Sequence, residues 1–424
     1  MAELLSNLSF MLGVAHDVWY IVLPPLLYPL WDFLWMEHVQ GKFAGKIEWV
    51  LLEIIPPREI EKSPHPMELI YSGFAGVIKS PNAVEEFVKG EFPVSFSLEL
   101  VSTEGIVHFY IRTQKGFRNL VEAHFYAQYP DIEIVEVEDY TKNVPRTVPN
   151  AEWDLWGVEF KLLKEDAYPI RTYKFFEESV TGKMIDPLGG LIETMGKLGP
   201  GQHLWLQLIM TPVKEDWGPK TGQLTVEEYI GHAKEESIGV LARLWHALGE
   251  VFGNLAPGLM GKELEWTTLE KAAKEEQPLE FRLTPGQKDV LKALESNIGK
   301  PMFKIKMRHV YLGRREGFSK QVGVSSFIGG IKQFNDLNLN SMIPDDAHKT
   351  YASYLFVDSR LRYRQRRLLR RYRGRDSDPQ NNRFLLSSEE LATLYHLPDM
   401  TMTAPALTKV ATRRGSAPAN LPVQ

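Results

Sequence analysis

The chain has no cysteine in its 424 residues, which excludes a disulfide framework, thiolate metal sites and cysteine nucleophiles. A phosphate-binding loop is missing too. A nucleotide motor needs glycines that let backbone N–H groups approach phosphates, and a lysine that reaches the terminal one. The nearest stretch, "APGLMGKE" at 256–263, has Ala256 in place of the first glycine and Glu263 in place of the magnesium-binding hydroxyl. A carboxylate there repels phosphate. Histidines are scattered: His232 with Glu235 and Glu236 supplies ligand types, but no second imidazole stands at metal spacing, so a solvated helix face is the favoured reading. No Ser-His-Asp arrangement stands out. The expectation is a protein with no catalytic residues and no cofactor or metal.

What is present is unevenly distributed. Apolar residues make up 44% of the chain, enough for real cores, and the length suggests two or three domains. Net charge is −5, yet "RLRYRQRRLLRRYRGR", Arg360 to Arg375, holds nine arginines and no acid. Without that strip 40 basic residues remain against 54 acidic ones, a balance near −14. Any affinity for an anionic surface is therefore concentrated in one strip.

At the N-terminus, "VWYIVLPPLLYPLW" (Val18 to Trp31) carries no charge, and Asp17 and Asp32 are the only charges between Leu4 and Met36. A helical span takes roughly 20 apolar residues. Trp19, Tyr20, Tyr28, Trp31 and Trp35 lie near both ends, where aromatic belts form. Pro24, Pro25 and Pro29 argue against a straight span. Glu3 and the lack of a small-residue cleavage site argue against a secretory signal. The reading is a membrane-spanning or kinked anchor over residues 1–44, with an interfacial or re-entrant segment and a buried core helix as alternatives. Lys42, Lys46 and Arg58 follow it, which places the bulk of a membrane-associated chain in the cytoplasm.

Beyond the anchor the pattern is α+β. "KIEWVLLEII" is β-rich, and Met67, Ile70, Tyr71, Phe74 and Val77 or Ile78 share one face of a helix. "VSFSLELVS" and "GIVHFYIRT" alternate and flank Thr103-Glu104-Gly105, which makes a hairpin. "KGFRNLVEAHFYAQYP" is a second amphipathic helix and "IEIVEVED" a final strand. The β-α-β-β-α-β order is the ferredoxin-like or split βαβ pattern, assigned to residues 45–150. It recurs over 151–358: "YPIRTYKFFEE", a helix begun at Asp186-Pro187, "HLWLQLIMTP", then "MFKIKMRHVYLG", the helix "GFSKQVGVSSFIGGIKQF" and the strand "SYLFV". Gly116-Phe117 and Gly317-Phe318 occupy like positions in the two units. A helical insertion interrupts the second unit at about 213–300, with "IGVLARLWHALGEVF" as a packed helix or a partner surface, and a capped helix after Thr284.

The last region, 359–424, holds the arginine strip, a short helix capped by Ser387 and Glu390, and a Pro-rich tail. As a helix the strip lines up Leu361, Gln365, Leu368, Leu369 and Tyr372, with arginines around the rest. Arg360, Arg362, Arg364, Arg366, Arg367, Arg370, Arg371, Arg373 and Arg375 are the candidate contacts to phosphates of lipid head groups or DNA. The competing reading is a solvated helix paired with acidic neighbours.

"FLLSSEELATLYHLP" followed by "APALTKVATRRGSAPANLP" resembles the junction ahead of the motor in membrane-associated ATPases of conjugation and type IV secretion, the FtsK/HerA-like family. "LLEIIPPREIEKSPHPMELI", "DPLGGLIETMGKLGPGQHLWLQLIM" and the arginine strip also resemble the N-terminal, non-motor part of such proteins in small-genome uncultivated bacteria. The resemblance spans most of 47–422. It implies a non-catalytic membrane-anchoring and assembly region of a DNA-transfer ATPase that lacks the P-loop motor, as a fragment, a split partner or a motor-less form. Its expected partners are a membrane, a P-loop ATPase motor domain or subunit, DNA through phosphate contacts, and further copies of itself in a homo-oligomer. The alternative is a peripheral scaffold on anionic lipid, unrelated to DNA.

Overall fold

The computed structural model describes residues 2–57, 63–78, 81–176, 185–214, 216–230, 283–377 and 383–398. The helix expected over "IGVLARLWHALGEVF", the His232 group, the "APGLMGKE" stretch and the tail after 398 lie outside them.

The strands are β1 (Trp49–Ile55), β2 (Phe96–Thr103), β3 (Ile106–Gln114), β4 (Glu133–Glu136), β5 (Trp153–Leu162), β6 (Gln202–Pro212), β7 (Met302–Arg314), β8 (Met342–Pro344) and β9 (Phe384–Ser387). They form one nine-stranded antiparallel sheet in the order β4-β1-β3-β2-β6-β7-β5-β8, with β9 also paired to β7. The long β7 gives one edge to two partners: Arg308 to Arg314 pair with β5, and Met302 to Ile305 pair with β9. The β2–β3 connection is tight because Glu104 (φ 53°) and Gly105 (φ 90°) both take the left-handed conformation that a two-residue hairpin requires.

Two parts of the expected fold are corrected. The first is the pair of separate ferredoxin-like units. β2 and β6 run antiparallel in register from Phe96↔Met210 to Thr103↔His203, so the sheet continues across the seam. The cause lies in the strands themselves: Leu98, Leu100, Leu206 and Leu208 bury on one face while Glu99, Val101, Trp205 and Gln207 bury on the other. Strands apolar or paired on both faces belong in the middle of a sheet. The strand order reads outward from this seam identically on both sides. The "YPIRTYKFFEE" strand is replaced by β5 ahead of it, and "SYLFV" is no strand.

The second correction is the membrane anchor. Helix α1 (Ala2–Ala44) runs through Pro24, Pro25 and Pro29. Among the described residues, no helix is long and apolar enough to cross a membrane. Its prolines, aromatics and Asp32 dilute the apolar run below that need. Trp35 instead donates from Nε1 to the Phe87 carbonyl at 2.7 Å, and Phe43 packs edge-on against Phe92 at 5.4 Å.

One face of the sheet is covered by α2 (His65–Ala75), α3 (Arg118–Gln128), α4 (Gly189–Gly196), α7 (Ser326–Lys332) and α9 (Ser388–Leu394). Met67, Tyr71, Phe125, Ile192, Phe327 and Leu391 fill the apolar core between them and the strands. Helix α9 is buried at every residue. Its Ser387–Glu390 capping box forms as the spacing requires, with the Ser387 amide donating to Glu390 Oε2 at 2.8 Å. Burial pushes the Glu390 carboxyl up to about 7, against hydrogen bonds from Ser387 and Ile170. A small satellite core joins α5 (Gln223–Tyr229) to α6 (Pro285–Ile298) through Val226, Val290 and Leu294. The other face belongs to α8 (Val357–Gly374), the arginine helix.

Candidate functional site

Of the stripe expected on α8, Leu361 is only half-buried and the other four residues pack. Gln365, Leu368, Leu369 and Tyr372 are buried against Leu155, Val310, Leu312 and Trp205. The approach is close because β5 carries Gly157 at the crossing. A Cβ there would lie 2.5 Å from Leu368 Cδ2 and 2.6 Å from the His309 carbonyl. Gln365 Nε2 donates to the Leu155 carbonyl at 2.6 Å and Asp154 Oδ1 at 3.1 Å.

Beneath the helix lies a buried polar row in direct cross-strand register, Glu99↔Gln207 and Gln207↔Arg308 and Arg308↔Glu159. Gln207 Nε2 donates to Glu99 at 3.0 Å, Arg308 Nη1 to Gln207 at 3.3 Å, and Arg308 Nε to Glu159 at 2.8 Å. Lys306 reaches Glu159 at 2.6 Å. At the helix end Arg375, buried and left-handed (φ 49°), donates Nε to Glu99 Oε1 at 2.9 Å and Nη2 to Glu99 Oε2 at 3.0 Å. Its Nη2 also meets Asp139 Oδ1 at 3.1 Å. Burial works to raise the Glu99 carboxyl, but Arg375 outweighs it, helped by hydrogen bonds from Ser97 and Tyr140, and holds it below the usual range. Arg375 is correspondingly raised by Glu99 against its own burial. Such a group is an internal counter-ion.

The nine arginines therefore divide by what they already hold. Arg375 is internal. Arg373 Nη2 donates to three carbonyls, Thr141 at 3.1 Å, Val144 at 2.9 Å and Pro145 at 3.0 Å, clamping the 141–148 loop to the helix. Arg360 Nη1 donates to the Ser353 carbonyl at 2.9 Å, and Arg364 Nη1 to that of Tyr351 at 2.6 Å. Arg362 Nε reaches the Asp358 carbonyl at 3.3 Å, and Arg371 lies 3.8 Å from Asp376. Among the described residues, Arg366, Arg367 and Arg370 hold no hydrogen bond or ion pair.

Of these, Arg366 and Arg370 border a cleft of about 970 Å³ between α8 and the 141–148 loop. Arg366, Arg370 and Arg373 come from the helix, Lys142 and Arg146 from the loop, and no carboxylate lines it. The loop arrives there because Asp139 caps the turn at Tyr140–Asn143, accepting from the Thr141 amide at 3.0 Å, while Tyr140 OH meets Tyr372 OH at 2.7 Å. Five basic side chains around one concavity, held by clamped backbone, suit the oxygens of phosphate groups. Lys142 and Arg146 lie outside the strip expected from the sequence. Their only sign there is two unpaired cations around Pro145, which becomes informative once the fold sets them opposite α8.

The class defined by this geometry is an α+β protein with one antiparallel sheet, apolar helical packing on one face and a basic, clefted helix on the other. The chain belongs to the family described as domain of unknown function DUF8128, whose model matches residues 43–409. The match thus takes in the whole sheet, both faces and the cleft. A search of curated proteins finds no match.

Proposed function

We propose that this protein is a non-catalytic binding and assembly module that holds nucleic-acid phosphates in the basic cleft, as an accessory of a DNA-transfer ATPase. The observation that carries the reading is the cleft itself: Lys142, Arg146, Arg366 and Arg370 converge on it from two segments, without a carboxylate among its lining residues. Binding through cations alone implies sequence-independent, salt-sensitive affinity. The accessory role rests on the likeness of the 384–398 region and the arginine helix to the non-motor part of conjugation-type ATPases. In this reading α9 is a structural part of the core, and whatever motor it serves is a separate domain or subunit.

The test is binding of single- and double-stranded DNA by the full chain across a salt series. Wild-type protein should bind at low salt with a steep inverse dependence, and Arg366→Glu with Arg370→Glu should abolish it. No binding at low salt would end the reading. For the accessory role, a neighbouring reading frame that encodes a P-loop motor would support it, and a solitary gene would count against it.

A further inference from the structure

The other end of α8 carries a different feature, outside the cleft. The chain enters the helix through Tyr354, Leu355, Phe356 and Val357, which are 88%, 77%, 80% and 39% exposed. Four consecutive apolar side chains turned to water are unusual on a folded surface. Two of them, Tyr354 (φ 70°) and Phe356 (φ 55°), stand in the left-handed region, which bulky residues rarely adopt. Such backbone persists only when its surroundings over-determine it.

The segment leading into it is anchored. Thr350 ties the base of the loop to β5, donating its amide and its hydroxyl to the Gly157 carbonyl at 3.0 and 2.9 Å. Arg360 and Arg364 then grip the carbonyls of Ser353, Lys349 and Tyr351 from the first turns of the helix. Lys349 lies over the Tyr351 ring at 5.4 Å, and Tyr363 adds a further ring that is 62% exposed. The result is an exposed apolar run on a tied-down loop, with Lys349, Arg360, Arg362 and Arg364 close to it in sequence, against the acids Asp346, which pairs with Lys349 at 3.5 Å, and Asp358.

We infer that this run is a membrane-surface insertion element: Tyr354 to Val357 enter the head-group region of a bilayer rich in anionic phospholipid, and these cations meet lipid phosphates. Three observations favour that occupant. Leu355 and Val357 offer neither a ring to stack nor a polar atom, so a nucleic-acid strand would leave them idle. An exposed apolar run containing Tyr354 and Phe356, with Arg360, Arg362 and Arg364 following it, matches the graded polarity of a bilayer interface. Pairing with a second copy through the same residues would bring two sets of these arginines together, an unfavourable juxtaposition. The inference concerns attachment to one leaflet, and it does not depend on the DNA reading of the cleft.

The absence of cysteine permits a direct test. Leu355→Cys in the full chain is labelled with an environment-sensitive fluorophore and mixed with phosphatidylcholine vesicles, with or without phosphatidylserine. The expected result is a blue shift on the phosphatidylserine vesicles, quenched by lipid-borne quenchers. Unlabelled Y354S/L355S/F356S protein, folded by circular dichroism, should sediment with the same vesicles about tenfold less than wild type. An unshifted label, or equal sedimentation of the triple variant, would overturn the inference. So would a blue shift produced by single-stranded DNA or by raising the protein concentration, with vesicles inert.

Discussion

The two faces of the sheet are built on different physics. On the α2/α3/α4/α7/α9 face, rings and aliphatic chains interdigitate, and their attraction is non-directional. On the α8 face, Glu99, Gln207, Arg308 and Glu159 run in register beneath the helix, and each charge depends on a specific partner. Apolar packing tolerates removal of a methyl group in proportion to the cavity it leaves. A buried ion pair tolerates removal of one partner poorly, because the other remains charged and desolvated. The contrast explains how an arginine-rich helix can lie on a core: the buried cation at its end, Arg375, has two carboxylates, and the rest of its charge faces backbone carbonyls, Asp376 or water.

The largest expected effect sits on the charged face. Arg375→Met leaves Glu99 and Asp139 without their cation and should cost about 3–5 kcal/mol in urea-melt stability. The matching cut on the apolar face, Leu391→Ala in buried α9, should cost about 2–5 kcal/mol through its cavity alone. The two variants should differ in pH response. Glu99, Asp139 and Glu159 are each held below their ordinary values by cationic partners that outweigh burial, so their stabilisation is present above that range and disappears as pH falls through the folded values. Arg375→Met should flatten that acid limb.

Glu390 gives the opposite sign. Its folded value is raised to about 7, so its contribution is full below the ordinary value of 4.5 and disappears as pH rises through about 7. Glu390→Gln should remove that decline, as read by melts at pH values on either side of the window. His309, stacked on Phe327 at 3.7 Å and pushed down by burial to about 3, withdraws stability as pH falls from 6.5. The acid limb is thus shared between faces, whereas the decline on raising pH belongs to the apolar one.

Smaller effects sharpen the contrast. Gly157→Ala should cost about 1–3 kcal/mol by pushing Leu368 and α8 off β5. Arg366→Glu with Arg370→Glu touches only exposed side chains and should stay within about 0.5 kcal/mol per site in stability, while removing DNA binding.

Much of this arrangement is legible in the sequence. The alternation in β2 and β3, the turn at Glu104-Gly105, both capping boxes and the packed stripe on α8 are local, and local signals survive in a sequence. The joining of β2 to β6 is hidden there, because pairing across more than 100 residues leaves only the symptom of strands buried on both faces. The charges in "KIKMRHVYLG" have the spacing of a solvated face, but Lys306 and Arg308 are buried with Glu159. "SYLFV" has the composition of a strand, and its positive φ angles cannot be read from composition. In α8, a run of nine similar arginines conceals three different uses, because what an arginine holds depends on the segments brought opposite it.

The salt dependence of DNA binding tests the central claim most directly. For the wild-type chain, log K against log salt should fall steeply, and Arg366→Glu with Arg370→Glu should abolish binding. The milder Arg366→Gln with Arg370→Gln should leave measurable affinity but reduce the slope by about 0.7–0.9 for each phosphate no longer neutralised. A wild-type slope unchanged in the glutamine variant, or no binding at low salt, would contradict the assignment of the cleft to nucleic-acid phosphates.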